Sequence, residues 1–161
     1  MYEWIVYLHV LGAFAFVLAH GTSMIVAFRL RSVRDRNRVV ALLELSQIAN
    51  GAMYVGLLLL LGAGVWAGFV GAHWGRLWIW LSLGVLGLVL VVMYAVATPF
   101  YGRMRAAAGL PGYAEVADRY DPPVTPDDLS MLARSRRPEI LALVGGVGLV
   151  FIVWLMVIKP F

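Results

Sequence analysis

The chain has 161 residues, 62% of them hydrophobic and 14% charged, against roughly 45–50% and 25% in soluble domains. Too few polar side chains remain to cover a water-soluble globule, so part of the solvent is lipid. The net charge of +4 comes from 13 basic residues against nine acids, and with no cysteine a disulfide, a thiolate ligand, an iron–sulfur cluster and a c-type haem attachment are all excluded.

Four apolar segments reach the roughly 20 residues that a helix needs to cross a hydrocarbon core about 30 Å thick. The first runs from about Trp4 to Phe28. Glu3 precedes it and Arg29, Arg31, Arg34, Arg36 and Arg38 follow, the reverse of the charge order in a signal peptide. The second runs from about Val40 to Phe69 and contains the run Leu57 to Leu61; Glu44 near its edge reads as a solvated helix-end charge. The third, about Leu77 to Thr98, starts among Trp74, Trp78 and Trp80, and the fourth, about Ile140 to Ile158, carries Trp154 near its end, as suits the headgroup level.

Between the third and fourth segments, Phe100 to Arg137 is the one sizeable stretch outside the membrane. Helix three is expected to continue past Pro99 through Arg103 and Ala108 and to stop at Gly109. Thr125-Pro126-Asp127-Asp128 then reads as an N-cap, a first-position proline and an acidic first turn, opening a short amphipathic helix with Leu129, Leu132 and Ala133 on one face. Such a helix lies against the membrane surface or docks a partner subunit.

Arg103, Arg105, Arg119, Arg134, Arg136 and Arg137 all fall in this stretch, so all but Arg76 and Lys159 of the basic residues lie in two loops. The positive-inside rule places both loops in the cytoplasm and both termini outside. It also accounts for the basic balance without nucleic acid. The expected fold is therefore all-α, a single-domain integral membrane four-helix bundle.

Polar groups inside a bilayer are functional candidates by default, with helix packing as the alternative. His9 and His20 are eleven residues apart, nearly three whole turns, so they share a face of helix one about 16 Å apart. Two stacked histidines on one helix can ligate haem b or copper, each completed from a facing helix. His73 at the start of helix three can oppose His9, or stand as a solvated loop residue. At the level of His20 only Met53 or a water is on offer. Helix two carries Gln47, Asn50 and Tyr54 on one stripe at about that depth, with Tyr94 and Thr98 of helix three toward the same side. This group can hold His20, pass protons, bind a quinone or a porphyrin propionate, or serve as interhelical glue. The methionines Met24, Met53, Met93 and Met156 are spread over four helices without an evident line.

Gly64 and Gly68, Ala52 and Gly56, and the Gly145, Gly146, Gly148 group are small-residue faces that let helices approach closely, within the bundle or at a homodimer seam. There is no P-loop, GxGxxG, HExxH, CxxC or nucleophile elbow, which argues against a hydrolase or nucleotide-driven enzyme.

Tyr7-Leu8-His9-Val10-Leu11-Gly12-Ala13 resembles the opening of small four-helix bacterial membrane proteins related to the membrane domain of the copper-resistance protein CopD. The arginine-rich loop, Leu60-Leu61-Gly62-Ala63-Gly64-Val65-Trp66, the aromatic start of helix three and Pro99 are similar to the same group. More distantly the chain looks like HemJ, a protoporphyrinogen oxidase. The sequence lacks the Trp-x-Gly-Gly stretch usual in the first group and an intramembrane lysine expected of the second. The resemblance implies a bacterial inner-membrane location and a haem or copper site near His9. The leading expectation is a b-type-cytochrome-like or metal-handling protein with His9, His20, His73, Asn50, Tyr54 and Tyr94 around haem b or copper. The rival readings are a non-catalytic accessory subunit of a larger membrane complex and a small copper transporter.

Overall fold

The computed structural model describes all residues, Met1–Phe161. Four long helices carry the chain: α1 over Tyr2–Leu30, α2 over Arg36–Val70, α3 over Leu77–Ala107 and, after the short α4 at Asp128–Ala133, α5 over Arg137–Ile158. Two 3₁₀ turns, His73–Gly75 and Ala114–Arg119, fill the connections. At about 1.5 Å per residue each long helix exceeds the roughly 30 Å of a hydrocarbon core, and each is apolar enough to cross it. Large apolar side chains such as Val55, Leu58, Val91 and Val150 stand at least two-thirds exposed, as on a surface solvated by lipid. The architecture is that of a multi-pass, all-helical membrane bundle.

The helix ends have local causes. The Asp35 carboxylate accepts from the Arg38 backbone N–H at 2.9 Å and caps α2. Pro99 lies within α3 without ending it; the helix stops in a Schellman turn, Leu110 N–H to Arg105 O and Gly109 N–H to Ala106 O, with Gly109 in the left-handed region at φ +67°. Arg36 donates to the Ala108 carbonyl at 2.7 Å, a cation on the negative end of the helix.

The helices pack as two pairs. α1 lies along α2 and α3 along α5, while α1 with α5 and α2 with α3 touch sparingly. Glycines set the first seam from both sides: a Cβ on Gly12 would stand 2.5 Å from the Leu60 backbone nitrogen, and one on Gly56 2.7 Å from that of Phe16. Gly148 on α5 receives Val89 of α3 in the same way. The small-residue faces are thus used inside the bundle.

Both pairs join at one end, where Val26, Leu30, Leu43, Phe100, Met104 and Ala133 form the largest buried cluster. The Arg31–Glu139 ion pair at 2.6 Å ties α1 to α5 there. Both arginine-rich segments lie at this end. Tyr2, His73, Trp78 and Lys159 meet at the other, where Lys159 sits 5.7 Å from the Trp78 ring centroid.

In the loop, the Asp128 carboxylate accepts from both the backbone N–H and the hydroxyl of Thr125, at 2.8 and 3.0 Å, and these bonds hold its pKa below the usual aspartate value. The regular helix starts only at Asp128, three residues after the expected cap, and Leu129, Leu132 and Ala133 pack against the end of α3.

Candidate functional site

Between the two helix pairs the bundle parts, leaving a cavity of about 520 Å³ lined by all four long helices. The sequence brings the pairs together at the end cluster and leaves small or flexible side chains, Gly145, Ala97, Met53 and Met93, where they separate.

His20 projects into this cavity from α1. Its ring stacks on Phe16, with centroids 5.9 Å apart and planes within 2°. Its Nε2 lies 3.0 Å from where a Cβ on Gly145 would stand, and the Met93 methyl lies 2.5 Å from the same point. Imidazole and thioether therefore converge on one glycine of α5, which is open because residue 145 has no side chain. Met24 from α1 and Met53 from α2 line the same cavity. Three of the four methionines that form no line in sequence thus line the same cavity as His20.

Asn50, Tyr54, Tyr94 and Thr98 line the cavity with His20. Asn50 accepts from the Ser23 hydroxyl at 3.2 Å, a link between α1 and α2. Tyr54 and Tyr94, 57% and 70% exposed, form a lateral rim open to the surroundings of the bundle. Gln47, on the same stripe, is exposed and does not reach the cavity.

The other two histidines have different surroundings. His9 places Nδ1 2.8 Å from the Leu60 carbonyl, so Nδ1 carries the proton and Nε2 the lone pair. Its ring occupies the space above Gly64, where a Cβ would come within 2.8 Å of Nδ1. It thus sits in the α1–α2 seam. His73, in the 3₁₀ turn before α3, pairs through Nε2 with the Tyr2 hydroxyl at 3.0 Å and lies 6.0 Å from the Trp78 ring. Although His9 and His20 fall on one face of α1 by spacing, the crossing with α2 takes one into a seam and the other into the cavity.

Sequence reasoning passes over Arg105, Tyr101 and Tyr113. Arg105 counts there as one of many loop arginines, yet α3 carries it into the arginine-rich end of the cavity, 5% exposed. Its guanidinium lies 5.6 and 5.5 Å from the rings of Tyr101 and Tyr113. The Tyr101/Arg105 spacing of i, i+4 within a continuing helix is the signal that could have found it.

The donor set is soft. No aspartate or glutamate lines the cavity, and no three His, Asp or Glu side chains gather elsewhere in the chain. One imidazole with thioethers and no carboxylate suits a soft monovalent cation better than a hard or divalent one, whose charge would stay uncompensated in an apolar setting. No family model, no curated protein and no solved structure matches this chain.

Proposed function

We propose that this protein is a copper-handling four-helix membrane protein that holds copper(I) in the cavity between its helix pairs. The supporting observation is the convergence of His20 with Met93 on Gly145, in a cavity also lined by Met24 and Met53. Imidazole and thioether donors favour copper(I), and the lining offers no carboxylate of the kind a hard or divalent cation needs. His20 is the nitrogen ligand; Met93, Met53 and Met24 supply sulfur. Asn50 and Ser23 brace the α1–α2 wall behind them. His9 lies in the α1–α2 seam, outside the lining of this cavity, and is left out of the metal site. The CopD-like opening of α1 agrees with a copper role. Both arginine-rich segments at one end of the bundle agree with a cytoplasmic placement of that end in a bacterial inner membrane, with both termini outside.

Haem b is the second reading, favoured by the size of the cavity, which lies within the roughly 300–1,000 Å³ of sites for organic ligands. His20 would then be the axial ligand. One pair of measurements separates the two: oxidised and reduced absorption spectra of detergent-purified protein, with metal analysis of the same sample. Copper near one equivalent with no Soret band, lost in His20→Ala, supports the copper reading. A Soret band with sharp reduced α and β bands supports haem, and a colourless, metal-free protein after copper loading refutes both.

A further inference from the structure

Arg105 is a buried charge without a counter-charge. A guanidinium stays protonated in proteins, and this one is 5% exposed, yet its one hydrogen bond is a long 3.4 Å contact from Nη2 to the Leu43 carbonyl. Its Nε is buried with no partner. No carboxylate stands within ion-pair distance, since the ion pair of this protein is Arg31–Glu139. The tyrosine rings on either side offset part of the cost, but less than the desolvation of an unpaired buried ion demands. The group is built to receive an anion.

The cavity that Arg105 lines defines the rest of that anion. Along α3 it runs from Leu86 to Arg105, about 28 Å at 1.5 Å per residue, the scale of an acyl chain. Leu86, Leu90, Leu149 and Ile152 make its far part apolar, and the exposed Tyr54 and Tyr94 mark its lateral opening. One cation at the headgroup level and a long apolar groove open to the bilayer match a monoanionic amphiphile. At that depth a membrane presents phosphodiesters, which a guanidinium grips with two parallel hydrogen bonds.

We propose that Arg105 binds the phosphodiester of an anionic phospholipid from the adjoining leaflet, with one acyl chain lying in the cavity toward Leu86. Tyr113 and Tyr120 flank the headgroup at the same end. This site does not rest on the copper reading, since its headgroup contacts use none of the proposed copper ligands. Met93 lies between Leu86 and Arg105 on α3, so an acyl chain and a metal ion compete for the middle of the cavity, and the test uses metal-free protein.

The test uses metal-free protein in nanodiscs of phosphatidylglycerol mixed with phosphatidylcholine, released into mild detergent and weighed by native mass spectrometry. Wild type is expected to retain one phosphatidylglycerol per chain. Arg105→Gln should lower that retention roughly tenfold, the worth of one charge-assisted pair, and Arg105→Lys, which keeps the charge but loses the fork, should fall between. Circular dichroism checks that the variants fold, and should Arg105→Gln not fold, wild type and Arg105→Lys decide. No retained lipid, equal retention of phosphatidylcholine, a retained fatty acid or haem instead, or retention indifferent to residue 105 would overturn the proposal. Absence of copper binding leaves it untouched.

Discussion

His20 and Met93, on helices that are not neighbours in sequence, meet at Gly145: the imidazole Nε2 and the thioether methyl lie 3.0 and 2.5 Å from the place a Cβ would take. The missing side chain of residue 145 is therefore the condition for both side chains to occupy that space. Gly145→Ala should displace the Met93 methyl and crowd the imidazole, lowering copper(I) affinity at least about tenfold. Overpacking there should also cost about 1–3 kcal/mol. Gly146→Ala, with nothing within 4 Å of its would-be Cβ, should bind like wild type. Competition with a copper(I) chelator measures both variants; equal affinity in Gly145→Ala would remove the convergence from the account.

The α1–α2 seam depends on backbone contact at two glycines. Gly12→Ala and Gly56→Ala should each lower stability by about 1–3 kcal/mol, because the new methyl meets the facing backbone rather than a movable side chain. Gly62→Ala, facing open space, should be neutral or stabilise by up to about 1 kcal/mol through helix propensity. Thermal unfolding in one detergent compares the three.

His9 and His20 should separate by readout. His9→Ala removes the bond to Leu60 and is expected to cost about 0.6–2 kcal/mol of stability while copper binding persists. His20→Ala should abolish copper binding with the fold intact. Equal loss of copper in both variants would return His9 to the metal site.

The loop helix α4 has a pH dependence whose sign is fixed by Asp128. Its carboxylate is held below the usual aspartate value by Thr125, so its contribution is present above the unfolded-state pKa and is lost as pH falls through the folded one. Protease resistance of segment 111–136 should hold at neutral pH and fall only in the acid range below ordinary carboxylate titration. Asp128→Asn should weaken it at neutral pH. Limited proteolysis across that range checks both; a loss centred near neutrality would contradict the capping role.

The four helices were legible because a 30 Å apolar core demands runs that few other structures need, and the stop of α3 was legible in Gly109. Which helices pair was not legible. Periodicity gives the face of a helix, not its neighbour, so the shared face of His9 and His20 did not reveal that α2 covers one and leaves the other in a cavity. Met24, Met53 and Met93 show the same limit, since three different helices carry them to one cavity. Arg105 was hidden for another reason: charge counts treat loop arginines alike, and burial is a property of the packed end cluster.

The copper account is tested most directly by X-ray absorption at the copper edge on protein loaded with one equivalent of copper(I) under reducing conditions. The predicted spectrum shows nitrogen and sulfur scatterers together, with the nitrogen shell lost in His20→Ala and the sulfur shell diminished in Met93→Leu. A spectrum with nitrogen or oxygen neighbours alone, unchanged by either substitution, would contradict a site built from His20 and the cavity methionines.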